Sequence, residues 1–224
     1  MATAQNIDDR VRDILQDSDS IKWTEVEMMR WITDAQREVV QLKPDANPKT
    51  VTLTPSTAGS KQDLSIEVTS PDVSGTALRV LDVIRNTHTA SAGTGKSIRR
   101  IDRSILDDQI PEWHRTAAKS TDDIDSYTFD DRNPKVFYIY PNAGTDTRLE
   151  VLCSAAPAEV TALTDTLTLD DVYLTPLVDY VVYRAFSKEA DYTANESRAQ
   201  QFRNSFYESL GIRQQVADIT SPNA

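Results

Sequence analysis

Two features of this 224-residue sequence carry residue types that could do chemistry. The first is the run Gly93 to Ser97 (GTGKS), which matches the end of a phosphate-binding loop. Such a loop needs a further glycine five positions before the second one, so that consecutive backbone N–H groups can close round a phosphate. Ala90 occupies that position, and the residues after Lys96 (SIRRIDR) make a poor amphipathic helix. The run is expected to be a loop tip that binds no nucleotide. The second feature is a set of adjacent acids: Asp8-Asp9, Asp107-Asp108, Asp122-Asp123, Asp130-Asp131 and Asp170-Asp171. Glycoside hydrolysis and metal-dependent phosphodiester cleavage both use paired carboxylates. Neighbours in sequence rarely face one site, so solvated loops and helix N-termini are the expected places for these pairs.

The remaining signals for catalysis are weak. His88 and His114 stand apart, with no HExxH or CxxC spacing to hold a metal. No GxSxG elbow points to a serine nucleophile. No catalytic residue, cofactor or metal ligand is therefore assigned. A small divalent-ion-dependent enzyme built on Asp107 and Asp108 remains an alternative. Arg99, Arg100 and Arg103 put three cations within five residues. The chain carries 35 acids against 24 bases, a net charge of -11, which argues against holding a phosphate backbone over a broad surface. Those arginines are therefore expected to meet the acids of another protein subunit.

Composition bounds the rest. At 39% apolar and 26% charged, the chain can build one sizeable core beneath a generous polar surface. The single cysteine, Cys153, permits no internal disulfide and sits in an apolar run, so it reads as buried filler. No stretch is apolar enough to span a membrane, and the N-terminus lacks the apolar core of a signal peptide. Synthesis in the cytoplasm is expected.

The elements that must position these residues follow from periodicity. Ile7, Val11, Ile14 and Leu15 predict a helix over 6–17, with Asp8 and Arg12 placed to pair. Thr24 and Glu27 form a capping box before the seam Met28, Ile32, Ala35, Val39 and Leu42, and Pro44 ends that helix. Alternation then predicts strands at 49–54 and 63–68, joined as a hairpin through 55–61, and a longer strand at 77–86. A helical turn is expected at 104–110 and loops at 88–95 and 115–127. Strands at 135–140 and 148–153 are expected to pair across the turn at 141–147. The first of these is apolar on both faces, which suggests a central strand or one covered by a neighbour. Thr175-Pro176 opens a helix through about Lys188. Thr193 and Glu196 cap another that Gly211 stops, and 214–224 read as a frayed tail.

The fold class is thus α+β. Residues 1–46 form an N-terminal helix pair, 47–169 an inserted β-rich region, 170–211 a C-terminal helix pair and 212–224 a tail, in one structural domain overall. Neither helix pair can bury its seam alone, so the two are expected to pack as a bundle.

Several segments taken together resemble the head-to-tail adaptor (connector) proteins of tailed bacteriophages. They are DDRVRDILQD (8–17), WTEVEMMRWITDAQREVV (23–40), LRVLDVIRN (78–86), RRIDRSILDDQIPEWH (99–114), NPKVFYIYP (133–141) and LVDYVVYRAFSKEADYTANESRAQQF (177–202). The likeness is to the group related to the tail tubular adaptor of short-tailed phages, and it lies in the set rather than in any one motif. It implies a structural virion protein without catalytic residues, located at the head–tail junction. The implied assembly is a ring, usually of twelve copies, beneath the portal. That ring would carry the next tail or nozzle protein and enclose the channel through which DNA passes without specific binding. On this reading Ile212, Arg213, Val216 and Ile219 are expected to contact the portal, and Arg99, Arg100 and Arg103 another partner subunit. Another tail completion or stopper protein is the alternative within the same class.

Overall fold

The computed structural model describes residues 1–67, 77–88, 95–115, 120–189 and 193–211. The fold is α+β, with helices drawn from both ends of the chain and a β-rich insertion between them. Contacts divide the chain into two compact units. One joins Met1–Leu42 to Pro157–Ala224, and the other is Lys43–Ala156.

In the helical unit, α1 (Ala4–Leu15) starts at Thr3 with a reciprocal cap: the Thr3 N–H donates to Asn6 Oδ1 at 2.8 Å. The helix stops at Gln16, whose φ of 55° is left-handed. Asp17 then organises the link by accepting backbone N–H groups from Ile21, Lys22 and Trp23 on its carboxylate. The Arg12 guanidinium sits between Asp8 (2.7 Å) and Asp17 (3.6 Å), and all three residues are buried. α2 (Glu25–Leu42) carries the expected Thr24–Glu27 box and buries Met28, Ile32, Ala35 and Val39 completely.

Gln36 and Thr33 on that helix hold the return segment, accepting the N–H groups of Thr168 and Val160. The N–H groups of Ala4 and Gln5, free at the start of α1, donate to Asp165 O and Leu163 O. Residues 157–169 therefore lie along α1 and α2, whereas the sequence placed them in the β-rich region.

A 3₁₀ turn at Asp171–Tyr173, capped by the Asp170 carboxylate, leads into α5 (Leu174–Lys188), which contacts α1, α2 and α6 (Thr193–Ser209). Its buried stripe Leu177, Val181, Val182 and Ala185 is the shared wall of the bundle, and Phe206 closes it from α6. Gly211 adopts the expected left-handed stop at φ 71°. Among the described residues no helix is long and apolar enough to cross a membrane.

The β-rich unit departs more from expectation. β1 (Pro48–Leu53) pairs antiparallel with β9 (Thr147–Ala155), which pairs on its other side with β3 (Ala77–His88). A second sheet has the order β2 (Lys61–Asp63), β7 (Val136–Tyr140), β6 (Ser126–Phe129), β4 (Arg99–Arg100). A small parallel pair joins β5 (Ser120–Thr121) to β8 (Asn142–Ala143).

Two predicted hairpins are therefore absent. β1 does not pair with β2, and the strand expected at 63–68 is only Lys61–Asp63, followed by the short helix α3 (Leu64–Glu67). The buried Gln62 side chain holds the 55–61 turn instead, donating to Ser56 O and Gly59 O and accepting from Ser56 N–H. β7 does not pair with β9 either. Between them β8 runs beside β5, and the Asn142 amide donates to Arg115 O at 3.0 Å, which draws the chain out of one sheet before it enters the other. The loop expected over 115–127 contains β5 and the start of β6.

The inner faces of the two larger sheets share one core. Val51, Leu53, Val83, Leu149, Val151 and Cys153 come from the first, and Tyr127, Phe137 and Ile139 from the second. β7 is apolar on both faces because both are covered: Phe137 and Ile139 face the core, and the buried Trp113 packs edge-on against Tyr138 on the other side. Burial also pushes the Cys153 thiol pKa up, so it sits in the core as an inert apolar group.

Candidate assembly surface

The three arginines singled out in the sequence occupy one edge of the second sheet. Asp102 follows β4 and caps α4 (Arg103–Gln109), accepting from Ser104 N–H at 2.8 Å. Arg99 and Arg100 are thereby fixed on the edge strand, and Arg103 sits at the first helical position. Their surroundings differ. Arg103 Nε lies 3.4 Å from Asp107 Oδ2. The Arg100 guanidinium lies over the Phe129 ring at 4.4 Å, and Phe129 stacks on Tyr127. Arg99 is exposed, with no acidic partner among the described residues.

Tyr127 donates to Asp82 across the fold, and burial first, then that carboxylate, pushes its pKa up to about 12. Its hydroxyl is therefore a structural donor at any physiological pH. Arg100 and Arg103 line a cleft of about 700 Å³, together with Phe129, Arg132 and Tyr138. Arg132, Phe129 and Tyr138 were not singled out for binding in the sequence. Only the order β7-β6-β4 brings their segments beside the arginines.

The GTGKS run has a structural explanation. A Cβ on Gly95 would fall inside the Asn86 backbone carbonyl, so the glycine permits close approach to β3. Lys96 O accepts the Asn86 N–H at 2.9 Å, and Lys96 Nζ pairs with Asp125 at 2.5 Å. Residues 89–94, which include the first glycine of the run, lie outside the described residues.

The adjacent acids other than Asp108 part to separate local partners. Asp8 meets Arg12, whereas Asp9 accepts from the Gln5 amide. Asp107 accepts from Trp113 Nε1 at 2.8 Å; that bond, then Arg103 and His114, outweighs burial and holds its carboxyl below the usual range. Asp122 accepts from Asp146 N–H, and Asp123 lies 3.2 Å from His88. Asp131 pairs with Arg79, and Asp130 accepts from Arg132 N–H. Asp170 caps its turn, and Asp171 accepts from Ala2 N–H. Among the described residues no group of three or more His, Cys, Asp or Glu side chains is placed to hold a metal ion.

Of the sites inferred from sequence, Ile212, Arg213, Val216 and Ile219 lie outside the described residues, as does the Thr193 side chain of the second predicted capping box.

A search of curated proteins found no match to this chain. The family model of the SU10 adaptor protein matches residues 2–224, and so spans the helical unit, the β-rich unit and the arginine edge alike. The chain belongs to the SU10 adaptor family, and is a structural protein of the phage virion at the head–tail junction.

Proposed function

We propose that this adaptor forms a ring beneath the portal, of twelve copies, and lines the channel through which DNA leaves the head. The observation that carries this reading is the family match over almost the whole chain. Kinship with the tail tubular adaptor of short-tailed phages is part of the same proposal. The helical pairs make the lateral contacts, Ile212, Arg213, Val216 and Ile219 engage the portal, and Arg99, Arg100 and Arg103 meet a partner subunit. The far face of the ring carries the next tail or nozzle protein. The net charge of -11 supports a channel wall that does not hold DNA, because twelve copies bring roughly -130 of formal charge, screened beyond about 8–10 Å at physiological salt.

Native mass spectrometry of the purified protein, alone and mixed with the portal of the same genome, tests the assembly. A defined multiple of the chain on the portal is the expected result. No association at any salt concentration would overturn the reading in favour of a stopper or completion protein. Deleting residues 212–224 is expected to abolish portal binding while leaving the circular dichroism spectrum unchanged, and retained binding would refute the role given to those four residues.

A further inference from the structure

A hollow of about 320 Å³ in the β-rich unit contains none of the arginines. Its walls are residues 56 and 58–61 of the turn before β2, together with His114 and Tyr138. Each wall is fixed by the fold. The buried Gln62 side chain holds the turn, donating to Ser56 O and Gly59 O and accepting the Ser56 N–H. Lys61 on β2 and Tyr138 on β7 are direct cross-strand neighbours, so their side chains share one face of the sheet. On that face the fully buried Trp113 packs edge-on against the Tyr138 ring at 5.9 Å and carries the His114 ring at 3.7 Å.

The polar side chains in this lining can all donate. Ser60 is only 4% exposed, yet its hydroxyl has no hydrogen-bond partner among the described residues and is not sealed from solvent. A hydroxyl on a residue so deeply buried normally finds an acceptor. The Tyr138 hydroxyl and the Lys61 ammonium are likewise without a partner among the described residues. No carboxylate lines the hollow. Asp63, two positions along from Lys61, accepts the Ser65 N–H. Asp107, 3.5 Å from His114 Nε2, accepts from Trp113 Nε1 and pairs with Arg103. Both of these acids lie outside the lining.

We propose that this hollow binds a phosphate-type oxyanion. Lys61 supplies the charge, and the Ser60 and Tyr138 hydroxyls and the His114 imidazole supply hydrogen-bond donors. These donors come from three separate segments, which suits a tetrahedral group approached from several sides. A planar carboxylate is matched best by a guanidinium fork, and the lining has none. The same chemistry is offered by the free ion and by one phosphate of a DNA backbone. Holding a single phosphate does not need the broad basic surface that a net charge of -11 argues against. The inference goes beyond the ring and tail contacts proposed above and does not rest on them.

The test is an NMR titration of the nitrogen-15-labelled full chain with inorganic phosphate at constant ionic strength. Sodium acetate and a 20-base-pair DNA duplex serve as parallel probes. Phosphate is expected to shift the amides of Gly59, Ser60, Lys61 and His114 along a saturating curve, and acetate to leave them in place. Lys61→Gln should weaken phosphate binding by at least about fivefold, and Ser60→Ala by about two- to threefold. Arg203→Gln, on the helical unit, should leave it unchanged. Circular dichroism confirms that each variant is folded; if Ser60→Ala is not, Lys61→Gln, at an exposed position, carries the comparison. The same shifts produced by the duplex, and lost in Lys61→Gln, assign the phosphate to a DNA backbone. Shifts with inorganic phosphate and none with the duplex assign it to the free ion, and either result supports the site. Shifts that never saturate, that acetate reproduces, or that persist unchanged in Lys61→Gln would each overturn the proposal.

Discussion

Asn86 offers the sharpest test of how the β-rich unit is held together. It lies on β3 and is fully buried. Its amide nitrogen donates to Ile124 O at 2.8 Å and Lys96 O at 3.1 Å, and its amide oxygen accepts from Ile124 N–H at 2.8 Å. The side chain thus replaces strand pairing for a segment that enters neither larger sheet. In Asn86→Ala, Lys96 O keeps the Asn86 backbone N–H, at 2.9 Å. Ile124 loses the partners of both its N–H and its C=O, and it too is fully buried. Each orphaned group costs about 1–3 kcal/mol, so the substitution should destabilise the fold by about 2–6 kcal/mol.

Urea denaturation should record that loss as a midpoint lowered by about 1–3 M, and hydrogen exchange at the Ile124 amide should accelerate. Asn142→Ala is the internal control. Its amide makes one such bond, to Arg115 O, and its oxygen already lacks a partner, so the loss should be about 1 kcal/mol. If Asn86→Ala costs no more than Asn142→Ala, the account of Asn86 as the tie between three segments is wrong.

Gly95→Ala should destabilise by about 2 kcal/mol or more in the same denaturation assay, because the new methyl meets a backbone carbonyl and not a movable side chain. In the helical unit, Arg12→Ala should cost about 3–5 kcal/mol by leaving the buried Asp8 carboxylate unpaired. The double variant Arg12→Ala/Asp8→Ala should lose less than the sum of the two single losses, and strict additivity in a double-mutant cycle would contradict the pairing. Asp17 sets an acid limb. Burial pushes its carboxyl up, but the N–H groups of Trp23, Lys22 and Ile21 and the Arg12 charge together hold it below 3.8. Its stabilising contribution is therefore fully present above that ordinary value and is lost as pH falls through the lowered one. Acid titration by circular dichroism should show Asp17→Asn losing less stability than the parent over that interval.

The helices were legible in the sequence because their signals are local. The Thr24–Glu27 box, the seam from Met28 to Val39 and the Gly211 stop each occupy a few consecutive positions. The Asp8–Arg12 pair follows from helical spacing alone. The strands at β1, β3, β7 and β9 were legible for the same reason, since alternation is a local property. Their partners were not. Adjacency in sequence favours a hairpin between β7 and β9, and only the competing parallel pair β5–β8 diverts the chain. The placement of 157–169 failed similarly: it depends on the free N–H groups at the start of α1, more than 150 residues away.

The same distinction governs the candidate surface. Arg99, Arg100 and Arg103 could be found because they are consecutive or nearly so, but proximity in sequence overstated their likeness. Arg103 is drawn to Asp107 one helical turn on, while Arg100 is held over Phe129 by the β4–β6 pairing. Arg132 carries no local sign of lining one cleft with Arg100. It stands directly after an acid pair that suggests the opposite charge. Of that pair Asp131 is matched by Arg79, whereas Asp130 accepts only the neutral Arg132 N–H and keeps its charge in the cleft. Which charges share the cleft is therefore decided by strand order and not by composition.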